Sequence, residues 1–556
     1  MDYTAAERAA LPDRPASLAR LRAETFDVLV IGGGITGAGI ALDAASRGLS
    51  VGLVEKGDYA SGTSSKSTKL VHGGLRYLKQ LDVALVREVG LERATVHRLA
   101  PHLVQPEKML IPIIEGGQMG KLTTNVALWV YDFLADVDGD DKRRMLDRDE
   151  TLAAEPLLRD EWVKGGAIYA EYRTDDARLT VENLKTACAL GAIAANYCQA
   201  SGFVKEGGRV VGVHARDLRG DERFDIRARV VVSAAGPWVD AVREIDGSLT
   251  GKRLFHAKGV HLVVPRERFP VRQSIYFDLP DGRMCFAIPR GRATYFGTTD
   301  TPYTEHLDSI YVTPEDRDYL LDGVNRIFPE LQLRAEEIES SWAGVRPLIR
   351  EEGKSASEIS RRDEIFESDS GLLSIAGGKL TGYRKMAERI VDRAAERLGR
   401  EAETRTRELA LAGNGFAGQR EVTEYADEVA GLLMEHDLPA ARAGYLVHLY
   451  GTQVTDILRL APPEGEAELR LAIAELRYGL RREQVTTLAD WAIRRTGRLY
   501  FDKPALDRLL PDLSRVFAEL TDQPEEARLG ELAELQEESR RHADFEHALA
   551  ADEHDA

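Results

Sequence analysis

The chain has few cysteines, and none of them is spaced like a metal site or a redox pair. Its three cysteines are Cys188, Cys198 and Cys285, so neither a C-x-x-C pair nor a metal-ligand spacing occurs. Zinc ribbons, dithiol motifs and disulfide frameworks all need such pairs. We therefore predict reduced, buried, structural thiols in a cytosolic protein with no metal site.

Long apolar runs are also lacking. No run approaches the roughly 18 apolar residues that a bilayer-spanning helix needs. The segment 1–27 is charged and contains no hydrophobic core segment, so it does not have the pattern of a secretion signal. These absences favour a cytoplasmic location.

Positive charge is in deficit as well. The formal net charge is −18, whereas a nucleic-acid-binding protein needs an excess of Lys and Arg to neutralise phosphates. We therefore exclude nucleic acid as a partner. With 556 residues, of which 43% are hydrophobic and 30% charged, the chain is predicted to be globular and to form two or three domains.

One stretch carries the clearest motif of the sequence. The apolar run Val28–Ile31 predicts a strand that is buried on both faces. Gly32, Gly34 and Gly37 follow it at the spacing G-x-G-x-x-G, which permits a tight turn, a close approach to a pyrophosphate and close helix packing. A helix over about 36–46 would direct its N-terminal dipole at the phosphates.

A second apolar strand follows that helix and ends in an acid. It covers Val51–Val54 and is followed by Glu55, whose carboxylate can accept both ribose hydroxyls and would repel a 2′-phosphate. The unit therefore predicts FAD or NAD rather than NADP. A second match to the glycine pattern, Gly413–Gly418, lacks a clear preceding strand and a following acid, so we interpret it as a linker.

Two later strands predict that this nucleotide-binding domain is discontinuous in sequence. The strand 230–232 precedes small residues and Gly236, and the strand 372–376 precedes two glycines and Lys379, with a helix after them. The segment 57–70 is rich in Ser, Thr and Gly, a composition typical of a loop that lines a ligand.

The remaining sequence indicates two further kinds of structure, and hence an α/β plus α fold. Alternating strands with glycine turns between about 254 and 347 predict an antiparallel sheet, and the chain beyond 401 is strongly helical. The first predicted domain is a discontinuous Rossmann-like domain for FAD or NAD, formed by 24–100, 167–250 and 348–400. The second is an antiparallel β substrate domain, formed by 101–166 and 251–347, and the third is a helical C-terminal domain, 401–556.

Two further segments have patterns of their own. The segment 121–137 places its apolar residues on one helical stripe, which predicts a helix packed on its own domain; a membrane-surface helix is the alternative. The last thirty or so residues are acidic and are predicted to fray.

Many motifs in order resemble one known family, the FAD-dependent glycerol-3-phosphate dehydrogenases of the Gram-positive type, within the D-amino-acid-oxidase-like flavoproteins. The resemblance is dense over about 26–398 and continues weakly through RRTGRLYFD. It rests on segments that include IGGGITGAGIALDAASRG, GTSSKSTKLVHGGLRYLKQ, EYRTDDARLT, AAGPWVD, KGVHLVVP, DGRMCFAIPR, YFGTTDT, ESSWAGVRPLI, EISRRDEI and IAGGKLTGYRKMAE.

The resemblance implies a reaction and a cofactor. The reaction is oxidation of sn-glycerol 3-phosphate to dihydroxyacetone phosphate by hydride transfer from C2 to FAD, with the electrons passed to a membrane quinone. The implied location is cytoplasmic, on the inner face of the cell membrane. Peripheral membrane contact and a homodimer are left open.

The resemblance also assigns roles to residues. His261 is the expected base, since a neutral histidine can accept the hydroxyl proton, and Arg346 would stabilise developing alkoxide charge. His72 is the alternative base. The expected substrate-binding residues are Arg76, Tyr77, Arg361 and Lys379. The expected cofactor-binding residues are Gly32, Gly34, Gly37, Glu55, Ser64, Ser65, Lys69, His72, Gly73, Gly236 and Thr381.

Three alternatives remain at this point. The first is a glycerol-3-phosphate oxidase that uses oxygen; the oxidases carry a long insertion between two motifs, whereas here Arg346 and Arg361 are only 15 residues apart. The second is an amine or amino-acid oxidase on the same fold, which would need a different pocket. The third is a nucleotide-sensing or assembly protein without catalysis.

Overall fold

The structure is a computed structural model that describes residues 9–72, 83–117, 142–279, 281–350 and 363–546. The predicted helix over 121–137 lies outside these ranges. In chain order, the strands are β1 (Thr25–Ile31), β2 (Val51–Val54), β3 (Leu70–Val71), β4 (Gln105–Ile114), β5 (Arg144–Leu146), β6 (Val163–Arg173), β7 (Ile193–Ala195), β8 (Cys198–Glu206), β9 (Arg209–Asp217), β10 (Arg223–Ser233), β11 (Arg253–Pro265), β12 (Ser274–Asp278), β13 (Met284–Arg290), β14 (Ala293–Gly297), β15 (Thr301–Pro302), β16 (Ser340–Arg350), β17 (Glu364–Glu367) and β18 (Leu373–Ala376).

Helices cover sheet faces and form most of the C-terminal part. Among the described residues, no helix is both long enough and apolar enough to cross a bilayer. The helices are α1 (Arg14–Ala23), α2 (Ile35–Ser46), α3 (Val83–Leu99), α4 (Arg148–Ala154), α5 (Asp176–Ala189), α6 (Val239–Asp246), α7 (Pro314–Ile327), α8 (Tyr383–Leu398), α9 (Gln419–Glu435), α10 (Ala443–Tyr450), α11 (Val454–Leu458), α12 (Ala467–Arg482), α13 (Arg498–Phe501), α14 (Lys503–Thr521) and α15 (Glu525–Arg541).

The first sheet, sheet A, contains the predicted β1-α2-β2 unit. Its strand order is β17-β18-β10-β1-β2-β7, with the β8–β9 hairpin joined to β10. β1 pairs in parallel with β2 and β10, and β10 pairs in parallel with β18. The predictions that the strands near 230 and 372 return to this sheet are confirmed. Since parallel strands end at the same edge, three glycine-bearing turns meet there.

The second sheet, sheet B, is mostly antiparallel, as the alternating strands predicted. Its order is β15-β11-β14-β13-β12-β4-β6-β3, with β16 paired to β11 and β5 to β6. β11 and β16 pair over their whole common length. β6 and β16 each cross a predicted domain boundary, at 166/167 and 347/348, and both lie in sheet B. The domain boundaries themselves stay predictions.

The C-terminal part is helical, as predicted, but the prediction that its end frays is wrong for the described residues. α15 carries the buried side chains of Leu535 and Ser539. Just after it, His542 Nδ1 lies 2.7 Å from the carbonyl oxygen of Ser341, and the Ser341 hydroxyl donates to the His542 carbonyl oxygen at 2.8 Å. Glu525, Glu526 and Glu534 of α15 are exposed, whereas Glu538 accepts a hydrogen bond from the Tyr311 hydroxyl. An acidic composition therefore does not reveal which side of the helix packs.

Candidate active site

A cavity of about 700 Å³ opens between the carboxyl edge of sheet A and one face of sheet B. Most of the described site residues line it. They are Gly32, Gly34, Glu55, Ser64, His72, Gly236, His261, Arg346, Lys379 and Thr381.

The other predicted site residues fall into two groups. Gly73, Arg76, Tyr77 and Arg361 lie outside the described residues, so their roles stay predictions. Gly37, Ser65 and Lys69 are described but do not line the cavity.

The turn after β1 is shaped for close approach. Gly32 has φ +110°, and a Cβ there would lie 2.6 Å from the carbonyl oxygen of Ala234. A Cβ on Gly37 would lie 1.9 Å from the Gly32 carbonyl oxygen, so Gly37 serves the packing of α2 on β1. Gly34 precedes the first residue of α2, where the helix N-terminus opens on the cavity.

Glu55 is held in place directly after β2. Its two carboxylate oxygens accept hydrogen bonds from the backbone N–H groups of Gly33, at 2.7 Å, and Gly57, at 2.8 Å. Burial raises the pKa of its carboxyl group above the usual value. Each oxygen retains a further lone pair, so the group can still accept from the hydroxyls of a ribose.

Side chains of the Ser-rich loop and of the turn after β18 tie the walls of the cavity together. The Ser64 Oγ accepts from the backbone N–H of Ile35, the first residue of α2, at 2.9 Å. The Thr381 hydroxyl donates to the His72 carbonyl oxygen at 3.1 Å. Both contacts join segments far apart in sequence at the cavity.

The side chain of Lys69, a predicted cofactor contact, points away from the cavity into the protein. Its ammonium group is 2.6 Å from Asp176 Oδ1 and 3.0 Å from the carbonyl oxygen of Ser65, and the side chain is buried. It therefore forms a buried ion pair beneath the loop. Ser65 is buried in the same layer.

The face of β11 and β16 that borders the cavity bears a histidine and an arginine with two glycines between them. His261 is opposite Trp342, Gly259 is opposite Gly344, and Arg346 is two residues beyond Gly344. Because side chains alternate along a strand, all of these residues lie on one face. A Cβ on Gly344 would lie 2.7 Å from the Lys66 carbonyl oxygen, so this face tolerates only glycine there.

The Arg346 guanidinium is held against the neighbouring turn. Nη2 donates to Thr298 Oγ1 at 2.9 Å, and Nη1 donates to the Thr299 carbonyl oxygen at 3.1 Å. Asp300 Oδ1 is 3.4 Å from Nη1. The side chain of Arg346 also lines the cavity, so a fixed positive charge borders that space.

His261 is buried, with an exposed fraction of 1%. Its ring stacks on Trp342, with centroids 4.9 Å apart and an angle of 16° between the planes. Its Nε2 is 3.0 Å from the Thr68 hydroxyl oxygen. Burial, and then the charges of Arg346 and Lys69, lower its pKa well below the usual value. The imidazole is therefore neutral at neutral pH, as a proton acceptor must be.

Some contacts that support the walls of the cavity involve residues that belong to no recognisable sequence motif. Asp58 forms a buried, two-fold hydrogen-bonded pair with Arg495, both distances being 2.8 Å, and also pairs with Arg494. Trp342 contacts Tyr500 and Phe501 from the same RRTGRLYFD segment. That segment therefore supports both the nucleotide-binding edge and the ring behind His261. The weak resemblance of this segment to the family was the sole signal.

Comparison with known proteins shows the family of the chain. The family model described as FAD dependent oxidoreductase matches residues 27–384, and the model of the C-terminal domain of alpha-glycerophosphate oxidase matches residues 404–528. The aerobic glycerol-3-phosphate dehydrogenase of Bacillus subtilis is 49% identical over 88% of this chain and 90% of its own length. The enzyme of the same name from Staphylococcus haemolyticus is 46% identical over 89% of this chain and 92% of its own.

A solved structure extends the similarity over nearly the whole fold. The glycerol-3-phosphate dehydrogenase from Bacillus halodurans, solved in complex with FAD, is 44% identical, covers 97% of this chain and 98% of its own, and superposes with a TM-score of 0.82.

Proposed function

The chain belongs to the FAD-dependent glycerol-3-phosphate dehydrogenases, and from this premise we propose that it oxidises sn-glycerol 3-phosphate to dihydroxyacetone phosphate. The electrons then pass to a membrane quinone. One observation carries the proposal: His261 and Arg346 share one face of sheet B at the cavity that the glycine turns of sheet A also border. A proton acceptor and a fixed cation therefore border the same space as the cofactor site.

The residues present fit FAD. Gly34, which has no side chain, and the N-terminus of α2 suit a pyrophosphate. The carboxylate of Glu55 suits an adenosine ribose. We propose that Ser64, His72, Gly236 and Thr381 hold the remaining part of the cofactor, with Ser65 and Lys69 supporting the loop from beneath. When bound, FAD supplies the acceptor for the C2 hydride.

The cationic groups of the cavity suit a phosphomonoester. Arg346 presents a planar fork whose orientation is already fixed by Thr298 and Thr299. Lys379 follows β18 and the two glycines of its turn, so it reaches the cavity from the edge of sheet A. We propose that Lys379 binds the phosphate, with Arg76, Tyr77 and Arg361, and that Arg346 stabilises negative charge on the oxidised oxygen.

His261 acts as the base in this proposal. Removal of a hydride from a secondary alcohol leaves a carbonyl, so the hydroxyl proton must pass to an acceptor. The substrate phosphate would offset the charge of Arg346, which otherwise lowers the pKa of His261, and so would make the imidazole a better acceptor once substrate is bound.

Anaerobic bleaching of the bound flavin by glycerol 3-phosphate tests the proposal directly. The wild-type protein should bleach, whereas Arg346→Ala and Lys379→Ala should retain FAD and lose turnover. Arg216→Ala, which removes an exposed arginine on β9, is the control and should behave like the wild type. Full activity in both cavity variants would refute the assignment of the phosphate and oxyanion sites. A flavin that glycerol 3-phosphate does not bleach would refute the reaction itself.

Oxygen, in place of a quinone, is the alternative electron acceptor for this reaction. The match of residues 404–528 to the C-terminal domain of alpha-glycerophosphate oxidase favours testing oxygen. Turnover with a water-soluble quinone under nitrogen, compared with hydrogen peroxide release in air, separates the two. We expect the quinone to support turnover and peroxide to form slowly.

Peripheral membrane contact is part of the proposal because a membrane quinone must reach the protein. The net charge of −18 opposes binding to anionic lipid unless a local basic or apolar face overrides it. Sedimentation with anionic vesicles, at low and high salt, measures this contact, and size-exclusion chromatography with light scattering tests whether the protein is a homodimer.

A further inference from the structure

Thr68 and His261 both border the cavity, and their side chains are in hydrogen-bond contact with each other. Thr68 borders the cavity and is half-buried, whereas the His261 side chain is almost fully buried. The Thr68 hydroxyl oxygen is 3.0 Å from His261 Nε2. Because Thr68 is the more exposed of the two, its hydroxyl is the group that a ligand in the cavity reaches more readily.

The other ring nitrogen offers no route to the cavity. His261 Nδ1 is buried and has no hydrogen-bond partner among the described residues. On the strand beside it, a Cβ on Gly297 would lie 2.6 Å from His261 Cδ2, so the ring is tightly enclosed there too. Among the described residues, the hydrogen bond to Thr68 is therefore the one that links a ring nitrogen of His261 to a more exposed group at the cavity.

The backbone that carries Thr68 is fixed from three sides. The Tyr295 hydroxyl donates to the Thr68 carbonyl oxygen at 3.0 Å, and Trp342 Nε1 donates to the Ser67 carbonyl oxygen at 3.1 Å. The Ser67 backbone N–H donates to Asp176 Oδ2 at 3.0 Å. Since Trp342 also stacks on His261, one ring orients both the hydroxyl and the imidazole.

We propose that Thr68 relays the substrate proton to His261. This inference rests on the proposed function. The substrate hydroxyl gives its proton to Thr68 Oγ1 while the Thr68 hydroxyl gives its own to His261 Nε2. The C2 hydrogen leaves with its electron pair to FAD, the oxygen lone pair completes the carbonyl, and the imidazole ends as imidazolium. Thr68 ends with the same number of protons as it began.

The relay requires one tautomer of His261. Nε2 must accept, so the proton of the neutral ring must be on Nδ1. Within the part of the chain that the structure describes, the charged or titratable side chains that face the ring are Arg346 on β16, Lys69 in the loop and Tyr295 on β14. The two cations oppose a second proton on the ring, which favours its return to the cavity after the product leaves.

Two substitutions of Thr68 separate the effect of its hydroxyl group from the effect of its side-chain shape. Thr68→Val keeps the branched shape and removes the hydroxyl, whereas Thr68→Ser keeps the hydroxyl. We expect the anaerobic rate of flavin reduction to fall roughly 10²- to 10⁴-fold in Thr68→Val, the usual contribution of a positioned proton acceptor, and to fall less than about tenfold in Thr68→Ser. FAD content and the substrate concentration for half-maximal reduction should change little in both.

The pH dependence of flavin reduction also tests the relay, because a merely structural role of Thr68 would leave that dependence unchanged. In the wild type the reduction rate should be level above the pKa of His261. In Thr68→Val the proton must pass to hydroxide, so the rate should rise about tenfold per pH unit. A variant with the wild-type rate and a level pH profile would overturn the relay, whereas a wild-type protein that glycerol 3-phosphate does not reduce would overturn the proposed function instead.

The tautomer can be observed without turnover. In the ¹⁵N-histidine-labelled protein, the His261 signals, assigned by their loss in His261→Gln, should show a protonated Nδ1 and an unprotonated Nε2. The Nε2 signal should shift in Thr68→Val and remain near its wild-type position in Thr68→Ser. A protonated Nε2 in the wild type would refute the relay.

Discussion

The guanidinium of Arg346 lies across Gly259 on the neighbouring strand. A Cβ on Gly259 would lie 2.4 Å from Nη2 and 2.7 Å from Cζ of Arg346. The position of the cation therefore depends on the absence of one side chain on β11, and the wall formed by Thr298 and Thr299 holds the guanidinium from the other side.

Gly259→Ala should therefore displace Arg346 without removing any charge. We expect the rate of flavin reduction by glycerol 3-phosphate to fall on the order of 10²-fold, since a shift of about 1 Å in a positioned group has effects of that size. Gly431→Ala, in α9, places its Cβ where no heavy atom lies within 4 Å and should leave the rate unchanged. Equal rates in Gly259→Ala and the wild type would show that the reaction does not need Arg346 in this position.

Two glycines of the first turn should respond differently to alanine. Gly37→Ala brings a Cβ within 1.9 Å of a backbone oxygen, so the protein should lose stability and fold poorly. Gly34→Ala brings its Cβ no closer than 3.1 Å to Ser64 Oγ, so the apoprotein should fold, but the methyl group would occupy the approach to the pyrophosphate. We expect FAD affinity, measured by titration of apoprotein, to fall at least about tenfold in Gly34→Ala. Unchanged affinity would place the pyrophosphate elsewhere.

Replacement of Asp58 should uncouple the C-terminal helices from the nucleotide-binding edge. Asp58→Asn removes the carboxylate that the buried Arg494 and Arg495 share, while Arg494 keeps its ion pair with Asp490. Loss of one partner of a buried pair typically costs roughly 3–5 kcal/mol. Thermal unfolding should show a markedly lower midpoint and earlier release of FAD. Asp221→Asn, which removes the partner of an exposed pair, is the control and should change stability by less than about 0.5 kcal/mol.

The effect of Asp58 should also depend on pH. Burial alone would raise its pKa, but the charges of Arg495 and Arg494 lower the pKa to about 2. A carboxyl whose folded pKa lies below its unfolded value of 3.8 contributes stability above that value and loses the contribution as the pH falls toward 2. The difference in midpoint between the wild type and Asp58→Asn should therefore shrink over this range. A constant difference would mean that Asp58 acts by packing and not by charge.

Two histidines, His102 just after α3 and His448 within α10, should make the protein less stable in mild acid. Burial, then the neighbouring charges, lower the pKa of His102 to about 3 and that of His448 to about 4. The unfolded chain binds these protons near the ordinary value of 6.5, so stability is lost as the pH falls from 6.5 toward 4.

His102→Leu tests this dependence. Each histidine contributes a slope of about 1.4 kcal/mol per pH unit, and the variant should lack one of the two. Its thermal midpoint should therefore fall less steeply than that of the wild type between pH 6 and pH 4, while its change above pH 7 reflects packing alone. Parallel curves would show that His102 does not titrate between the two states.

The parts of the fold that sequence could predict are those with local physical signals. The β1-α2-β2 unit is set by an apolar strand, spaced glycines and a terminal acid, all within one short segment. The strand with His261 is likewise local. The pairing of Asp58 with Arg495 joins residues 437 positions apart, and no periodicity connects them. For the same reason the partner of Lys69 could not be predicted, and an acidic composition gave a wrong expectation for α15.

The contact between Ser341 and His542 spans 201 residues. Ser341 precedes Trp342, the ring that backs His261, and it follows Ser340, whose hydroxyl donates to the Tyr500 carbonyl oxygen. During translation, β16 therefore leaves the ribosome long before the segments that cover it exist. Sheet B cannot reach its final packing until α13 and α15 have been synthesised, so this wall of the cavity is completed late in the folding of each molecule.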